Sequence, residues 1–254
     1  MHFLLVNDDG IGSVGIMALM EAALKRGHRV SMCAPSGQMS AASHRITLSD
    51  PLYVKDYPLN RENAHGFAIT GTPADCVRLA FLGGLVTEPV DGVISGINNG
   101  YNAGLATYYS GTVGAAREGA LLGHPAIAAS IDYKADPAHV QDAAELVLTV
   151  AEKYCQAPQD GFRVLNINVP DLPRARWGAP VYAPLSRATI RDGYERCYAD
   201  RPGTYFWLQA GCEMDPPAEG CDEWYLNLGH PTLTLLSGMG SEPREDFDRL
   251  GLLG

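Results

Sequence analysis

The sequence predicts an α/β protein with a Rossmann-like, doubly wound and mostly parallel sheet, followed by a β-rich C-terminal extension. Over the first 170 residues, short apolar runs of strand length alternate with segments of helical periodicity. Repeated strand-helix-strand units imply right-handed crossovers between parallel strands. After Pro170, aromatic residues and prolines become frequent and helical periodicity fades. We therefore expect a Rossmann-like core over residues 1–175 and a β-rich extension and tail over 176–254, which could cap a site in the core, build a subunit interface or complete the sheet.

Each element of the core follows from local periodicity. Apolar runs predict six strands: Phe3 to Val6, Arg29 to Ala34, Phe67 to Thr70, Asp91 to Ser95, Ala126 to Ser130 and Val164 to Val169. Helical spacing predicts four helices: one around Ile16 to Leu24, then Ala74 to Leu82, Thr112 to Leu122 and Pro137 to Tyr154. Thr72 and Pro73 are typical of an N-cap followed by a proline in the first turn. The tail from Ser241 is predicted to form a short amphipathic helix.

The composition restricts the class of function. The chain has 254 residues, of which 46% are hydrophobic and 19% charged, as in a globular protein with a sizeable core. Its formal net charge of −10 argues against binding to bulk nucleic acid or an anionic membrane. There is no apolar run of the ~20 residues that a membrane helix needs, and no signal peptide is visible. We therefore expect a cytoplasmic protein.

The six cysteines support the same expectation. They form no Cys-x-x-Cys pair and show no zinc-ligand spacing. Cys33 and Cys76 lie in apolar segments and are interpreted as small core residues. Cys212 and Cys221 flank a loop and could pair, but reduced thiols are favoured in a chain without a secretion signal.

Two adjacent carboxylates end the first strand. Asp8 and Asp9 follow the apolar run directly and precede Gly10. Neighbouring negative charges repel each other and lose solvation on burial, so a divalent cation between them would stabilise the pair. A solvated turn of the Asn-Asp-Asp-Gly type explains these residues equally well.

Three further polar segments are expected at the same edge of the sheet, beyond the carboxyl ends of the parallel strands. Ligands of such sheets bind at this edge. The segments are 36–45 with Ser40, 96–104 with Asn98, and Ser110-Gly111-Thr112 at the start of a helix. Carboxylate, hydroxyl and amide oxygens suit Mg²⁺, Mn²⁺ or Ca²⁺ better than zinc. A helix N-terminus favours phosphate. Separately these loops are also typical of a helix cap and a flexible connection; together they favour chemistry on a phosphate ester.

Several motifs in order resemble the SurE family, the stationary-phase survival proteins, which are metal-dependent nucleotidases. They are Asn7-Asp8-Asp9-Gly10, Ala34-Pro35 followed by Ser40, Gly71-Thr72-Pro73-Ala74-Asp75-Cys76-Val77, Ser95-Gly96-Ile97-Asn98-x-Gly100-x-Asn102-x-Gly104, Tyr109-Ser110-Gly111-Thr112-Val113 and Leu165-Asn166-Ile167-Asn168-Val169-Pro170. The resemblance covers nearly the whole chain and weakens after about residue 175. Ala41 stands where the family commonly has glycine, and His44-Arg45 where further serines are frequent.

The resemblance implies a site and a reaction. Its metal ligands would be Asp8, Asp9, Ser40 and Asn98, holding one divalent ion, Mg²⁺ or Mn²⁺, with Ca²⁺ as a substitute in crystals. The phosphate would lie against Asn98, Ser110, Gly111 and Thr112, so that Asp8, Asp9, Asn98, Ser110 and Thr112 carry catalysis. The substrate would be a 5′ or 3′ nucleoside monophosphate. The family also implies a homodimer or homotetramer in which the extension reaches a neighbouring subunit.

Alternatives remain open from the residues alone. A zinc-dependent deacetylase on a Rossmann-like fold can also carry an Asp-Asp pair after its first strand, although its histidine ligands are missing next to Asp8 and Asp9. A nucleotide-binding stress protein without turnover is the other alternative.

The mechanism also leaves alternatives open. Water and an aspartate carboxylate are competing nucleophiles. His44 could protonate the leaving group, although a lone histidine in a polar loop is more often structural; Arg45 could contact phosphate or solvent.

Overall fold

The computed structural model describes residues 1–159, 161–188, 190–198 and 203–237. Its strands are β1 (His2–Val6), β2 (Arg29–Pro35), β3 (Val54–Asp56), β4 (Ala64–Ile69), β5 (Gly92–Asn99), β6 (Ala126–Ile131), β7 (Arg163–Val169), β8 (Val181–Tyr182), β9 (Ile190–Tyr198), β10 (Thr204–Met214) and β11 (Thr232–Ser237). Its helices are α1 (Val14–Lys25), α2 (Pro73–Phe81), α3 (Gly111–Leu121), α4 (Pro137–Gln156) and α5 (Asp222–Asn227). Short 3-10 turns occur at Gly104–Tyr108 and Arg174–Arg176.

The main sheet reverses its strand order at β1. Nine strands pair in the order β3-β4-β2-β1-β5-β6-β7-β11-β8. β1 pairs in parallel with β2 on one side and with β5 on the other. Within the described sheet the antiparallel pairs are β3 with β4 and β11 with β7. Binding sites in such sheets form beyond the carboxyl ends of the strands at the reversal point. Asp8 and Asp9 follow β1 and therefore lie there.

Helices cover both faces of the sheet. Alternate side chains of a strand point to opposite faces. Phe3 and Leu5 of β1 accordingly belong to the apolar cluster that includes α1 and α4, and Leu4 and Val6 belong to the cluster of α2 and α3. The predicted mostly parallel, doubly wound α/β fold is confirmed.

The differences from the predicted elements are local. β5 continues to Asn99, whereas the sequence predicts a loop after Ser95, because the glycine and asparagines there do not favour strands. The register of β5 against β6 shifts between Ser95 and Asn98. β3 is three residues long and α5 is six residues long, so neither is long enough to produce a periodic pattern.

The extension contributes to two sheets. β8 and β11 join the main sheet beside β7, while β9 and β10 form a separate antiparallel hairpin. The main sheet thus continues past residue 175, and the division into core and extension stays a prediction. The amphipathic helix predicted from Ser241 lies outside the described residues. Across the described part of the chain, every helix is too short or too polar to cross a membrane.

Candidate active site

A tight turn after β1 presents the two carboxylates. Asn7 is fully buried, and its side-chain Oδ1 accepts a hydrogen bond from the Gly10 N–H at 3.2 Å. Its Nδ2 donates to Gly10 O at 2.9 Å and to Ser13 Oγ at 2.7 Å. Gly10 has φ +101°, a left-handed conformation that glycine adopts without a steric penalty. The turn therefore has a fixed shape, and Asp8 and Asp9 leave the strand in fixed directions.

Asp8 is held by the first turn of α3. Its residue exposure is 4%. The Thr112 hydroxyl donates to Asp8 Oδ1 at 2.6 Å, and the Thr112 N–H donates to Oδ2 at 3.1 Å. A Cβ on Gly111 would lie 3.0 Å from Asp8 Oδ2, so the absence of a side chain at Gly111 permits this close approach. Burial raises the pKa of Asp8 above its ordinary value; the bonds from Thr112 oppose this effect, and the charge of Asp9 adds to it.

Asp9 is partly exposed beside the end of β5. Its Oδ2 accepts a hydrogen bond from the Asn99 N–H at 3.1 Å, and burial raises the pKa of its carboxyl. The Asn99 side-chain oxygen in turn accepts from the Lys134 N–H at 2.8 Å. Neighbouring Asn98 donates through Nδ2 to Gly100 O at 2.7 Å. This bond fixes the orientation of the Asn98 side-chain amide.

Ser40 lies on the exposed loop after β2. The Met39 N–H donates to the Asp8 backbone carbonyl at 2.7 Å, which brings this loop to the carboxylate turn. The Ser40 Oγ accepts a hydrogen bond from Gln38 Nε2 at 3.1 Å. Ser40, the expected hydroxyl ligand, therefore lies near Asp8 in space, although 32 positions separate the two in the sequence.

Ser110 caps α3 next to the same carboxylates. Its Oγ accepts a hydrogen bond from the Val113 N–H at 3.0 Å, the usual N-cap arrangement. The Ser110 hydroxyl keeps its own proton to donate. A cap of this kind at a helix N-terminus offers donors and a partial positive charge to an anion.

One open cavity of about 720 Å³ joins most of these groups. Its polar part is lined by Asp8, Ser40, Asn98 and Ser110. Its walls are lined by Ala41, Asn99, Tyr101, Asn102, Leu105, Ala106, Tyr109, Tyr133 and Asp192. Asp9 lines a second cavity of about 340 Å³ on its other side, together with Gln38, Asn99 and Lys134. The two cavities meet at Asn99.

One expected site residue, Thr112, and the two open candidates His44 and Arg45 have partners other than a bound phosphate in the structure. Thr112 is fully buried and gives both of its donors to Asp8, so it supports the carboxylate from behind, whereas the resemblance implies contact with phosphate. The His44 Nε2 lies 2.8 Å from Glu118 Oε2. The Arg45 carbonyl accepts from the Thr72 hydroxyl. Neither His44 nor Arg45 lines the cavity.

Sequence reasoning missed several asparagines that shape the site. Besides Asn7 and Asn99, Asn102 is buried and anchors the loop after β5: its N–H donates to Asn168 Oδ1 at 2.9 Å, and its carbonyl accepts from Asn166 Nδ2 at 2.8 Å. Two fully buried asparagines inside the apolar strand β7 are a sequence signal of such a role, because buried amides require partners. Similarly, the buried Asp222 accepts from the Gly104 N–H at 2.9 Å and ties the extension to this loop.

The donor set fits a hard divalent cation. It consists of two carboxylates, a hydroxyl and an amide oxygen, which are the ligand types of Mg²⁺ and Mn²⁺. Burial raises the pKa of both Asp8 and Asp9, and the charge of Asp9 adds to the effect at Asp8; a cation between the two carboxylates would favour their ionised forms. Within the described ranges, His, Cys, Asp and Glu side chains form no cluster of three or more arranged for a metal ion.

Comparison with known proteins identifies the family. A model of the family described as Survival protein SurE matches residues 3–192. A 5′-nucleotidase SurE from Desulfitobacterium hafniense is 38% identical over 240 residues, covering 92% of this chain and 90% of the relative. A 5′-nucleotidase SurE from Solidesulfovibrio magneticus is 39% identical over 238 residues, covering 93% and 91%.

A solved structure agrees with this result over the full length. The crystal structure of the SurE protein from Aquifex aeolicus superposes with a TM-score of 0.80 at 30% identity, covering 99% of this chain and 100% of that chain. Fold, sequence and the order of the motifs therefore agree. The chain belongs to the SurE family.

Proposed function

We propose that this chain is a 5′/3′-nucleotidase that hydrolyses nucleoside monophosphates to nucleoside and phosphate. The observation that carries the proposal is the buried Asp8 carboxylate, paired with Asp9 and seated on the N-terminus of α3 beside the Ser110 hydroxyl. Relatives similar over most of this chain are named 5′-nucleotidases. The zinc deacetylase alternative is disfavoured, because His44, the histidine of the loop that carries Ser40, is bonded to Glu118.

SurE nucleotidases are metal-dependent, and in this chain Asp8, Asp9, Ser40 and Asn98 would hold the ion. Mg²⁺ or Mn²⁺ is the proposed cofactor, because each ligand is an oxygen. When bound, such an ion supplies positive charge opposite the phosphoryl oxygens. The orientation of the Asn98 amide, fixed by Gly100, supports its place among the ligands.

The chain's own groups would bind and orient the phosphate. Ser110 donates its hydroxyl proton to a phosphoryl oxygen, and the partial positive charge at the N-terminus of α3 stabilises the same anion. Thr112 acts through Asp8, because both of its donors are engaged there. Water is the proposed nucleophile, with Asp9 accepting its proton. Attack by Asp8 or Asp9 would instead leave a phosphoryl-aspartate, which acid quenching and mass spectrometry detect.

The nucleoside would occupy the remainder of the large cavity. A volume of about 720 Å³ exceeds what a phosphate group needs, and the side chains of Tyr101, Tyr109 and Tyr133 line it. Tyr109 and Tyr133 expose 65% and 64% of their surface. The Lys134 ammonium lies over one face of the Tyr133 ring, 5.1 Å from its centroid, so we propose that a base stacks on Tyr109 or on the other face of Tyr133. Stacking of a base on an aromatic ring contributes about 1–3 kcal/mol.

Phosphate release from a panel of substrates tests this function. We expect Mg²⁺- or Mn²⁺-dependent release from nucleoside monophosphates, abolished by EDTA and by Asp9→Asn. Ribose 5-phosphate, which has the same phosphoryl group and no base, is expected to show about tenfold lower kcat/KM because it cannot stack. Nucleotide binding without release in any metal would favour the stress-protein alternative, and zinc-dependent amide cleavage would favour the deacetylase.

We also propose a cytoplasmic homodimer or homotetramer assembled through the extension. The β9–β10 hairpin is a sheet of its own, and its Tyr194, Tyr198, Phe206 and Trp207 each expose more than half of their surface. Exposed aromatic clusters of this kind are typical of interfaces. Five cysteines of the described ranges are free thiols, in keeping with a reducing compartment. Light scattering of the purified chain is expected to give a dimer or tetramer; a monomer at micromolar concentration would contradict this assembly.

A further inference from the structure

The segment that carries Ser40 has little structure of its own. We name residues 39–47 the Ser40 loop. Ala41 and Ser43 adopt left-handed conformations with φ of 57° and 53°, which are unfavourable for residues other than glycine. Ser40, Ala41 and Ser43 are exposed. A fixed position for Ser40 therefore depends on contacts between this loop and the body of the protein.

The middle of the Ser40 loop lies directly on α3. The Ser43 N–H donates to Tyr109 O at 2.9 Å, and the Ser43 hydroxyl donates to Tyr108 O at 2.7 Å. A Cβ on Gly114 would lie 2.3 Å from the Ser43 carbonyl oxygen, so the loop backbone occupies the space that a side chain would need. Further along, Thr47 donates through its N–H and hydroxyl to Asp75 of α2.

A buried carboxylate fastens this contact. Glu118 of α3 exposes 5% of its side chain. Its Oε2 lies 2.8 Å from the Nε2 of His44 in the loop, and its Oε1 accepts from Arg78 of α2 at 2.8 Å. A carboxylate removed from water is destabilising unless it is paired and hydrogen-bonded. Glu118 meets that condition through two partners on two different segments.

The same helix holds the other side of the metal site. Thr112, in the first turn of α3, bonds both oxygens of Asp8. Gly114 seats Ser43, and Glu118 bonds His44. Helix α3 thus contacts Asp8 at its first turn and the Ser40 loop further along. Asp8 and Ser40 are the carboxylate and hydroxyl ligands of the proposed metal site.

We propose that Glu118 is a positioning residue for the metal site: through His44 it holds the Ser40 loop on α3 and so fixes Ser40 relative to Asp8. This inference rests on the proposed function, since it takes Ser40 to be a metal ligand. It gives His44 a structural task that involves no proton transfer to the leaving group. Arg78 donates to the second oxygen of Glu118 and so completes the pairing of this buried carboxylate.

The affinity for Mn²⁺, measured by titration calorimetry without substrate, tests this role. Glu118→Gln and His44→Ala are each expected to weaken Mn²⁺ binding about tenfold, the typical effect of losing a residue that orients a ligand. The double variant should bind no more weakly than either single variant, because the two residues act as one unit. Trypsin should cleave after Arg45 faster in the variants, as the loop is released. At saturating Mn²⁺, kcat should return to near the value of the natural chain.

A matched control separates the loop contact from loss of charge around Glu118. Arg78→Gln removes the partner that lies outside the Ser40 loop and is expected to change Mn²⁺ affinity by less than about twofold, because the bond to His44 remains.

Equal Mn²⁺ affinity in Glu118→Gln and the natural chain would overturn the inference and leave the proposed nucleotidase function intact. A lower kcat and altered pH profile in His44→Ala at unchanged Mn²⁺ affinity would overturn it in favour of acid catalysis. Absence of Mn²⁺ binding by the natural chain would overturn both proposals.

Discussion

An Asp8→Asn variant is expected to release phosphate from nucleoside monophosphates on the order of 10³-fold more slowly than the natural chain. Asparagine has the same shape as aspartate and removes the buried negative charge that a divalent cation would require. Initial rates at saturating Mg²⁺ and Mn²⁺ measure the effect. Asp50→Asn, an exposed substitution with the same change of net charge, is the control and should retain the full rate.

The same variant is expected to be more stable than the natural chain when divalent ions are removed with EDTA at neutral pH. Burial raises the pKa of Asp8 in the folded state above its unfolded value. The folded state is therefore favoured while Asp8 is protonated, and this contribution is lost as the pH rises through the folded pKa. The amide introduced by the substitution carries no charge. It can accept from the Thr112 N–H and donate to the Thr112 hydroxyl, so the variant does not lose this stability as the pH rises.

Thermal unfolding across a pH series measures this difference. The Tm of Asp8→Asn should exceed that of the natural chain at neutral pH, and the two values should converge as the pH falls through the Asp8 pKa. Added Mn²⁺ should raise the Tm of the natural chain and leave that of the variant unchanged, because only the former keeps both carboxylates. An equal or lower Tm for the variant in EDTA would contradict the view that burial of the Asp8 charge destabilises the metal-free protein.

Thr112→Val is expected to lower kcat/KM by about 10- to 100-fold, the range found when a partner that orients a metal ligand is lost. Valine matches threonine in shape but cannot donate to Asp8 Oδ1, whereas the backbone N–H of residue 112 remains. Loss of a hydrogen bond to a charged group should also destabilise the protein by about 1.5–3 kcal/mol. Initial rates and denaturant unfolding measure the two effects.

Thr234→Val is a suitable control for this change. Thr234 is also a buried threonine, and its hydroxyl donates to the Ala183 carbonyl at 2.8 Å near the β8 edge of the main sheet. The control variant should lower stability slightly and leave kcat/KM unchanged. If Thr112→Val kept its Mn²⁺ affinity but lost affinity for nucleotide, Thr112 would contact phosphate directly, as the resemblance implies.

The amino-acid sequence was sufficient to predict the fold class and the polar loops that share one edge of the sheet. Each of the six predicted core strands has its counterpart in the structure, and the four predicted helices differ at their ends by a few residues. These features are local: periodicity decides which face of an element is buried, and the alternation of elements decides the sheet type. Polar loops that follow parallel strands must then meet at one edge, which is why Asp8, Ser40 and Ser110 line a common cavity.

Which partner each polar side chain takes follows only from the tertiary structure. The local sequence allows His44, in the Ser40 loop, to face the cavity. In the structure it instead bonds Glu118, which is 74 positions away. Thr112 has the residue type of a phosphate ligand and supports Asp8, 104 positions away. Likewise, β11 returns to pair with β7 and extends the main sheet beyond the predicted core. Such contacts depend on packing between distant elements, because a hydrogen bond is short and directional whereas a sequence pattern constrains a side chain only to a face.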